Sequence, residues 1–314
     1  MHKTKSNQGY AGRKKISFLL LGAFLLSGIS GCVYERTQDC PQGIDLRLYS
    51  KTPCLDTVYP RLSGLDLRVF DRRGKLVSYR QSGDSVITEH YAGRLEAENG
   101  LYSVTAWAGL DADAFERGSG DEKSGLLFRL KRSGGRASSL EGKRIYYGES
   151  PVVFLPDPAE YGSVFEPAAI NLREITNRLT IQVEGLPLTG DYEAVVESAN
   201  GSINTDGSIA SDDRIEYGSQ AAFTDGLLEA RLTVLKLATG YNTSLVIRNR
   251  ADNSELYRGD LLGTLLLKNP AVNLDCDHDF TIRFTAKDQC SCGTYMIMEI
   301  WVNNWLVHSY TTDL

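Results

Sequence analysis

The chain has 314 residues, with 34 Lys+Arg against 40 Asp+Glu, 30 Gly, 9 Pro, 6 Cys, 16 Tyr and 42% apolar content. This composition excludes a collagen, a low-complexity disordered chain and a bulk membrane protein. A net charge of −6 without a Lys/Arg-rich stripe excludes a basic nucleic-acid binder, and at about 100–200 residues per domain the length predicts two domains.

Residues 1–31 carry Lys3, Lys5, Arg13, Lys14 and Lys15 and no acidic residue. The apolar run from Ile16 to Ile29 falls short of the roughly 20 residues that a spanning helix needs, and has the form of a signal-peptide core. It ends in Ile29-Ser30-Gly31-Cys32, which resembles the lipobox of bacterial lipoproteins. That resemblance implies cleavage before Cys32 and a diacylglycerol on its thiol, a covalent lipid and no other cofactor. Buried acyl chains contribute about 0.8 kcal/mol per CH₂, so several chains on one residue anchor without a membrane span. Val33 is not an acidic retention residue, which points to delivery to the outer membrane. Without residues 1–31 the body has 283 residues, 29 basic against 40 acidic, and a charge of −11. Anionic headgroups repel such a body, so lipid must hold it.

Beyond Cys32 the pattern is alternation of apolar and polar residues in short runs bounded by Gly, Pro, Asn and Asp, the signature of strands. The runs 44–49 and 65–70 come first, the second leading through Asp71-Arg-Arg-Gly74 into a hairpin with 75–79. Further strands are expected at 86–91, 101–107, 126–130, 144–147 and 152–155. The segment Leu155–Gly162 has two prolines and reads as a connector. Beyond it, strands are expected at 168–173, 178–184, 192–198, 202–209, 228–235, 244–248, 256–257, 280–284 and 295–302. Asn200-Gly201 reads as a turn, and 261–267 is ambiguous between strand and helix. The expectation is an all-β chain of two tandem sandwiches, residues 32–162 and 163–314.

Catalytic signatures are sparse. The histidines of the body are His90, His278 and His308, none at a zinc-protease spacing. Gly83-Asp-Ser85 lacks the second glycine of a nucleophile elbow, and the expectation is that the protein is not an enzyme. The acids from Asp111 to Glu122 copy a calcium loop superficially, but Phe115 replaces an oxygen ligand and Glu116 stands where the sharp turn needs Gly. In Asp275-Cys276-Asp277-His278-Asp279, strand alternation would put Cys276 and His278 on the face of Phe280, with the aspartates on the wet face. Cys290-Ser-Cys292 follows, but this spacing is unusual for zinc and an exported protein favours disulfides, so no metal site is expected.

With Cys32 lipidated, five cysteines remain: Cys40, Cys54, Cys276, Cys290 and Cys292. Spacing alone leaves their connectivity open. The pairing we expect is Cys40–Cys54, stapling the N-terminal stretch, and Cys276 with Cys290 or Cys292, leaving one thiol free. Asp56-Thr57-Val58 and Asp84-Ser85-Val86 match the short Asp-Ser/Thr-aliphatic sites of O-glycosylation in Bacteroidetes.

Three segments carry a family resemblance: Gly100-Leu-Tyr102-Ser-Val-Thr-Ala-Trp107-Ala-Gly109, Asn171-Leu-Arg-Glu-Ile-Thr-Asn-Arg-Leu-Thr-Ile-Gln-Val-Glu-Gly185, and Ile300-Trp-Val-Asn-Asn-Trp305. Together with the lipobox, these resemble the fimbrillin-associated anchor proteins of Bacteroidales, the FimB-type family. The resemblance implies two transthyretin-like β-sandwiches and a place at the base of a surface fimbria, in contact with a shaft pilin and held to the outer membrane by lipid. It also implies that polymerising subunits are cut by an arginine-specific protease in the first domain. Arg47 and Arg61 are the candidate sites, and an anchor must remain uncut to keep its lipid.

The C-terminal residues converge on the same role. Tyr295–Val302 and Trp305–Tyr310 read as two strands around Asn303-Asn304, with Trp301 and Trp305 close to the end of the chain. A chain end is normally polar and frayed. An apolar terminal strand therefore either completes its own sheet or fills a groove in another subunit. Ile300, Trp301, Val302, Trp305, Leu306, Val307 and Tyr310 are the candidate pilin contacts. Two other roles stay open from sequence: a polymerising or tip subunit of the same family, and a surface glycan-binding lipoprotein.

Overall fold

The computed structural model describes residues 41–118, 122–289 and 294–310. Cys32, Cys40, Cys290 and Cys292 lie outside the described residues.

The principal strands of the first half are β1 (Gly43–Thr52), β2 (Leu55–Val58), β3 (Leu65–Asp71), β4 (Leu76–Ser82), β5 (Gly93–Glu96), β6 (Gly100–Ala108), β7 (Phe115–Arg117), β8 (Leu127–Leu130), β9 (Tyr146–Glu149), β10 (Val153–Leu155) and β11 (Phe165–Asn171). Those of the second half are β12 (Thr176–Glu184), β13 (Tyr192–Ser198), β14 (Ser202–Asn204), β15 (Ile215–Gln220), β16 (Leu227–Leu235), β17 (Ser244–Asn249), β18 (Glu255–Asp260), β19 (Asp279–Asp288), β20 (Tyr295–Val302) and β21 (Trp305–Ser309). The all-β reading holds. Alternation does what it should: in β1, Ile44, Leu46 and Leu48 are buried while Arg47 and Lys51 are exposed.

The first sandwich packs a sheet centred on β1 against a sheet ordered β9-β6-β3-β4. β5 and β2 pair with opposite ends of β1, and β10 pairs with the start of β6. The core is Ile44, Leu46 and Leu48 against Leu65, Leu67, Val69, Val104 and Ala106. The 71–74 turn forms as read: Asp71 Oδ1 accepts from the backbone N–H groups of Arg73 and Lys75, at 2.8 and 2.9 Å. The run 86–91 departs from expectation, since only Ser85–Val86 pairs, with Arg61–Leu62.

The expected boundary after residue 162 is corrected by β11. This strand runs parallel to β1, from Gly43↔Phe165 to Tyr49↔Asn171, and puts Ala168 and Ile170 into the first core. The proline-bearing connector therefore stays within the first sandwich, carrying the chain from β10 in one sheet to β11 in the other. It holds one short helix, Pro158–Tyr161, capped by Asp157. The chain changes sandwich between Leu172, in the first core, and Ile175, in the second.

The second sandwich packs β15-β13-β17-β18 against β16-β12-β19-β20-β21, with β12 and β19 parallel. Every residue of β13 is buried. Tyr192, Ala194 and Val196 face the core, and Glu193 and Glu197 lie under arginines from neighbouring strands. The Glu197 carboxylate, bonded by Arg258 and Arg214, is held down to about 2. Burial raises the Glu193 carboxyl, but Arg248 and Arg136 outweigh it and hold it below the ordinary range. Asn200-Gly201 does not join a hairpin, because β13 and β14 belong to different sheets. The Asn200 side chain is buried instead, donating to the Leu235 carbonyl and accepting from the Tyr217 hydroxyl, both at 3.0 Å. The 261–267 run is neither strand nor α-helix; it buries Leu261, Leu265 and Leu266 in turns ending in a 3-10 segment, Leu266–Lys268.

The two sandwiches interlock through the excursion between β6 and β9. β8 pairs with β14, Phe128 opposite Ile203, and Arg136 pairs with Glu216. Tyr102, Val104, Ala106 and Ala108 of β6 face the first core, so Trp107 points the other way, fully buried in the second cluster. Its ring lies 4.8 Å from Phe128 and 4.6 Å from Tyr147. Gly109 turns away at φ 79°, where a Cβ would sit 2.2 Å from the Arg144 carbonyl oxygen. Gly207 of the second sandwich approaches from above, and a Cβ there would reach within 2.1 Å of the Tyr147 ring.

A candidate partner-binding hairpin and the cysteine that ties it

Asn303 and Asn304 both adopt left-handed conformations, φ 48° and 65°, which matches the right-handed twist of a two-residue hairpin. The turn is fixed to β19: the Thr281 N–H donates to Asn303 Oδ1 at 2.8 Å, and the Asn303 N–H returns to the Thr281 carbonyl at 2.9 Å. Asn269 Nδ2 donates to the Val302 carbonyl at 2.9 Å. β21 thus completes the second domain's own sheet, and among the described residues it pairs only with β20.

The candidate contact residues divide. Ile300 and Val302 are core residues, 1% and 0% exposed, and cannot meet a partner without unfolding; Val307 packs partly buried against the same core. Trp305, Leu306 and Tyr310 are 50%, 41% and 53% exposed. Leu306 stands opposite Trp301 across a bulge, on the outer sheet face. There the Arg283 guanidinium lies 5.3 Å over the Trp301 ring, and Trp301 Nε1 donates to Glu299 at 3.0 Å. Tyr310 stacks on His308, whose Nε2 lies 2.8 Å from the Thr264 carbonyl oxygen. Among the described residues the arrangement is an open strand edge with apolar side chains beside it, and Arg283 and Glu299 against the Trp301 ring, an edge to which another chain can add by β-pairing.

The cysteines correct the expected pairing. Cys54, in the β1–β2 turn, is bonded to Cys276, with Cα atoms 5.9 Å apart and a sequence separation of 222. Cys40–Cys54 is thereby excluded, as is a bond from Cys276 to Cys290 or Cys292. The reason is topological: the 275–278 stretch is a turn before β19, rather than strand, and it meets the β1–β2 turn across the junction of the sandwiches. Asn273 organises it, accepting from Asp275, receiving the Cys276 N–H on its carbonyl, and reaching Cys54 Sγ at 3.5 Å. Nothing in the spacing of the cysteines marked a bond of this sequence separation. The disulfide occupies Cys276, and Asp111 of the calcium-like loop pairs with Lys143. Among the described residues no three His, Cys, Asp or Glu converge.

Residues 36–311 match the family model of fimbrillin-A associated anchor proteins Mfa1 and Mfa2. The chain is 34% identical over 305 residues to the minor fimbrium anchoring subunit Mfa2 of Porphyromonas gingivalis, covering 92% of this chain and 94% of that one. Among solved structures it is similar to the fimbrial anchor protein Mfa2 of the same organism, at TM-score 0.75 and 33% identity over 86% of this chain and all of that one. A DUF1812 protein of Bacteroides thetaiotaomicron superposes at TM-score 0.70 over 88% of this chain and 99% of that one, but at 19% identity this shows the fold alone. With its two interlocked sandwiches, its terminal hairpin and these matches along nearly its whole length, the chain belongs to the family of fimbrillin-A associated anchor proteins.

Proposed function

We propose that the protein is a structural, non-catalytic lipoprotein that anchors a fimbrial shaft to the outer membrane and terminates its growth. The observation that carries this reading is the 34% identity, spread over 92% of the chain, to an anchoring subunit of a fimbrium. Lipid on Cys32 holds the N-terminal end at the cell surface, a reading supported by the Ile29-Ser30-Gly31-Cys32 lipobox. At the other end, the open edge of β21 with Trp305, Leu306 and Tyr310, and the adjoining Trp301, contacts the first shaft pilin. The cell-associated chain stays uncut at Arg47 and Arg61; of the two, Arg47 is the one whose cleavage would part the lipid from the fold, because Arg61 lies inside the loop closed by Cys54–Cys276. Arg47 lies within β1, flanked by the buried Leu46 and Leu48, so cleavage there requires local unfolding of the first core.

Pull-down on cell extracts tests the proposal. The full mature chain retains a shaft pilin, and removal of residues 303–314 abolishes retention while leaving the fold intact by circular dichroism. Equal retention by both forms places the contact elsewhere. Binding of polysaccharide instead, lost on replacing an exposed Trp or Tyr, would transfer the protein to the glycan-binding class.

A further inference from the structure

We propose that the Cys54–Cys276 disulfide is a load-bearing bypass, carrying tension from the N-terminal strand directly to the C-terminal hairpin around the bulk of both sandwiches. This inference rests on the anchor reading above for where force enters and leaves, at the lipid end and at β20–β21. The bond joins the turn after β1, the first strand among the described residues, to the turn before β19, which leads into β20 and β21. Residues 55–275 therefore lie off the covalent path. They include β3, β4 and β6 of the first sandwich and most of the second.

The parts left on the path sit inside their sheets. β1 lies between β11 on one edge and β5 and β2 on the other, with Ile44, Leu46 and Leu48 in the core. β19 lies between β12 and β20, with Phe280, Ile282 and Phe284 in the core. Without the bond, a pull on the two ends would peel the chain strand by strand. With it, unravelling stops once the short segments outside the loop are extended. The same connectivity makes a backbone break between residues 55 and 275 harmless to attachment. Arg61 falls inside that protected loop and Arg47 outside it, where β1 shields it.

Single-molecule force spectroscopy tests the bypass. The full mature chain is held by handles at residues 32 and 314, oxidised and then with dithiothreitol. At roughly 3.3–3.6 Å per residue, the reduced chain extends to about 1,000 Å, and the oxidised chain, with 62 residues outside the loop, to about 220 Å. Cys54→Ser/Cys276→Ser gives the long extension without reductant. Cys40→Ser/Cys290→Ser/Cys292→Ser keeps the short one. Full extension of the oxidised wild type, or of that triple variant, overturns the proposal. On cells under shear, the Cys54→Ser/Cys276→Ser variant releases fimbriae several-fold faster than wild type, with equal fimbriation at rest. Equal release under shear contradicts the load-bearing role. If the chain instead fails to capture pilin while the extension stays short, the anchor reading is wrong and the covalent bypass stands.

Discussion

Replacing Trp107 with alanine removes the ring that both sandwiches share. The side chain is fully buried, between Phe128 at 4.8 Å and Tyr147 at 4.6 Å, beneath an excursion of chain pinned by β8–β14 pairing. A Trp→Ala change in such a core costs about 3–5 kcal/mol, within which two aromatic contacts account for about 0.5–1.5 kcal/mol each. Phenylalanine is the informative control. Trp107 Nε1 is buried with no acceptor among the described residues, and an unsatisfied buried donor costs about 1–3 kcal/mol. Phenylalanine deletes that donor and keeps most of the ring, so the two effects offset and the net loss is below about 2 kcal/mol. Urea unfolding of the mature chain, followed by far-ultraviolet circular dichroism, reads both variants against wild type. At about 3 kcal/mol per molar urea, the alanine variant loses about 1–1.7 M in midpoint and the phenylalanine variant less than about 0.7 M. Equal losses for the two substitutions, or a loss below 0.3 M for alanine on that scale, would refute the assignment of Trp107 to the joint.

Three further outcomes follow from named contacts. Glu197, 11% exposed in its side chain and held at about 2, contributes about 3 kcal/mol above the ordinary value of 4.5, lost as pH falls from there through 2; the urea midpoints of wild type and Glu197→Gln should therefore differ at pH 7 and converge at pH 2, and an unchanged gap would contradict the Arg258–Arg214 clamp. Closing a loop of 222 residues removes unfolded-state entropy worth about 5 kcal/mol, so Cys54→Ser/Cys276→Ser should lose stability of that order in the same assay, and a loss below 1 kcal/mol on that model would contradict it. Limited trypsin digestion should cut the exposed Arg72-Arg73 turn before Arg47, with the ends joined until reductant is added, and early cleavage at Arg47 would contradict the shielding by β1.

What was legible in the sequence was local. The alternation of β1, β6 and β12, the Asp71–Gly74 turn and the Asn303-Asn304 hairpin were all readable, because side-chain period and turn chemistry are written in neighbouring residues. What was not legible depended on partners far away in the chain. β11 has the same pattern whether it opens a second sandwich or closes a first, and only its parallel register with β1 decides. Asn200-Gly201 has turn chemistry, yet its asparagine is used to bind the Leu235 carbonyl. Asp275–Asp279 alternates like a strand, yet Asn273 folds its first residues into the turn that brings Cys276 to Cys54. At the candidate contact site, the sequence marked the hairpin but could not separate Ile300 and Val302, spent on the core, from Trp305, Leu306 and Tyr310, which reach the surface.

Under the proposed function this chain holds a fimbria to its cell. Deleting the protein and counting fimbriae on cells and in the medium, with their lengths, tests that most directly. Fimbriae are expected still to assemble but to be shed, and to be longer than those of wild type, with attachment restored by the wild-type chain and not by Cys32→Ser. Unchanged numbers on cells and unchanged lengths would contradict it.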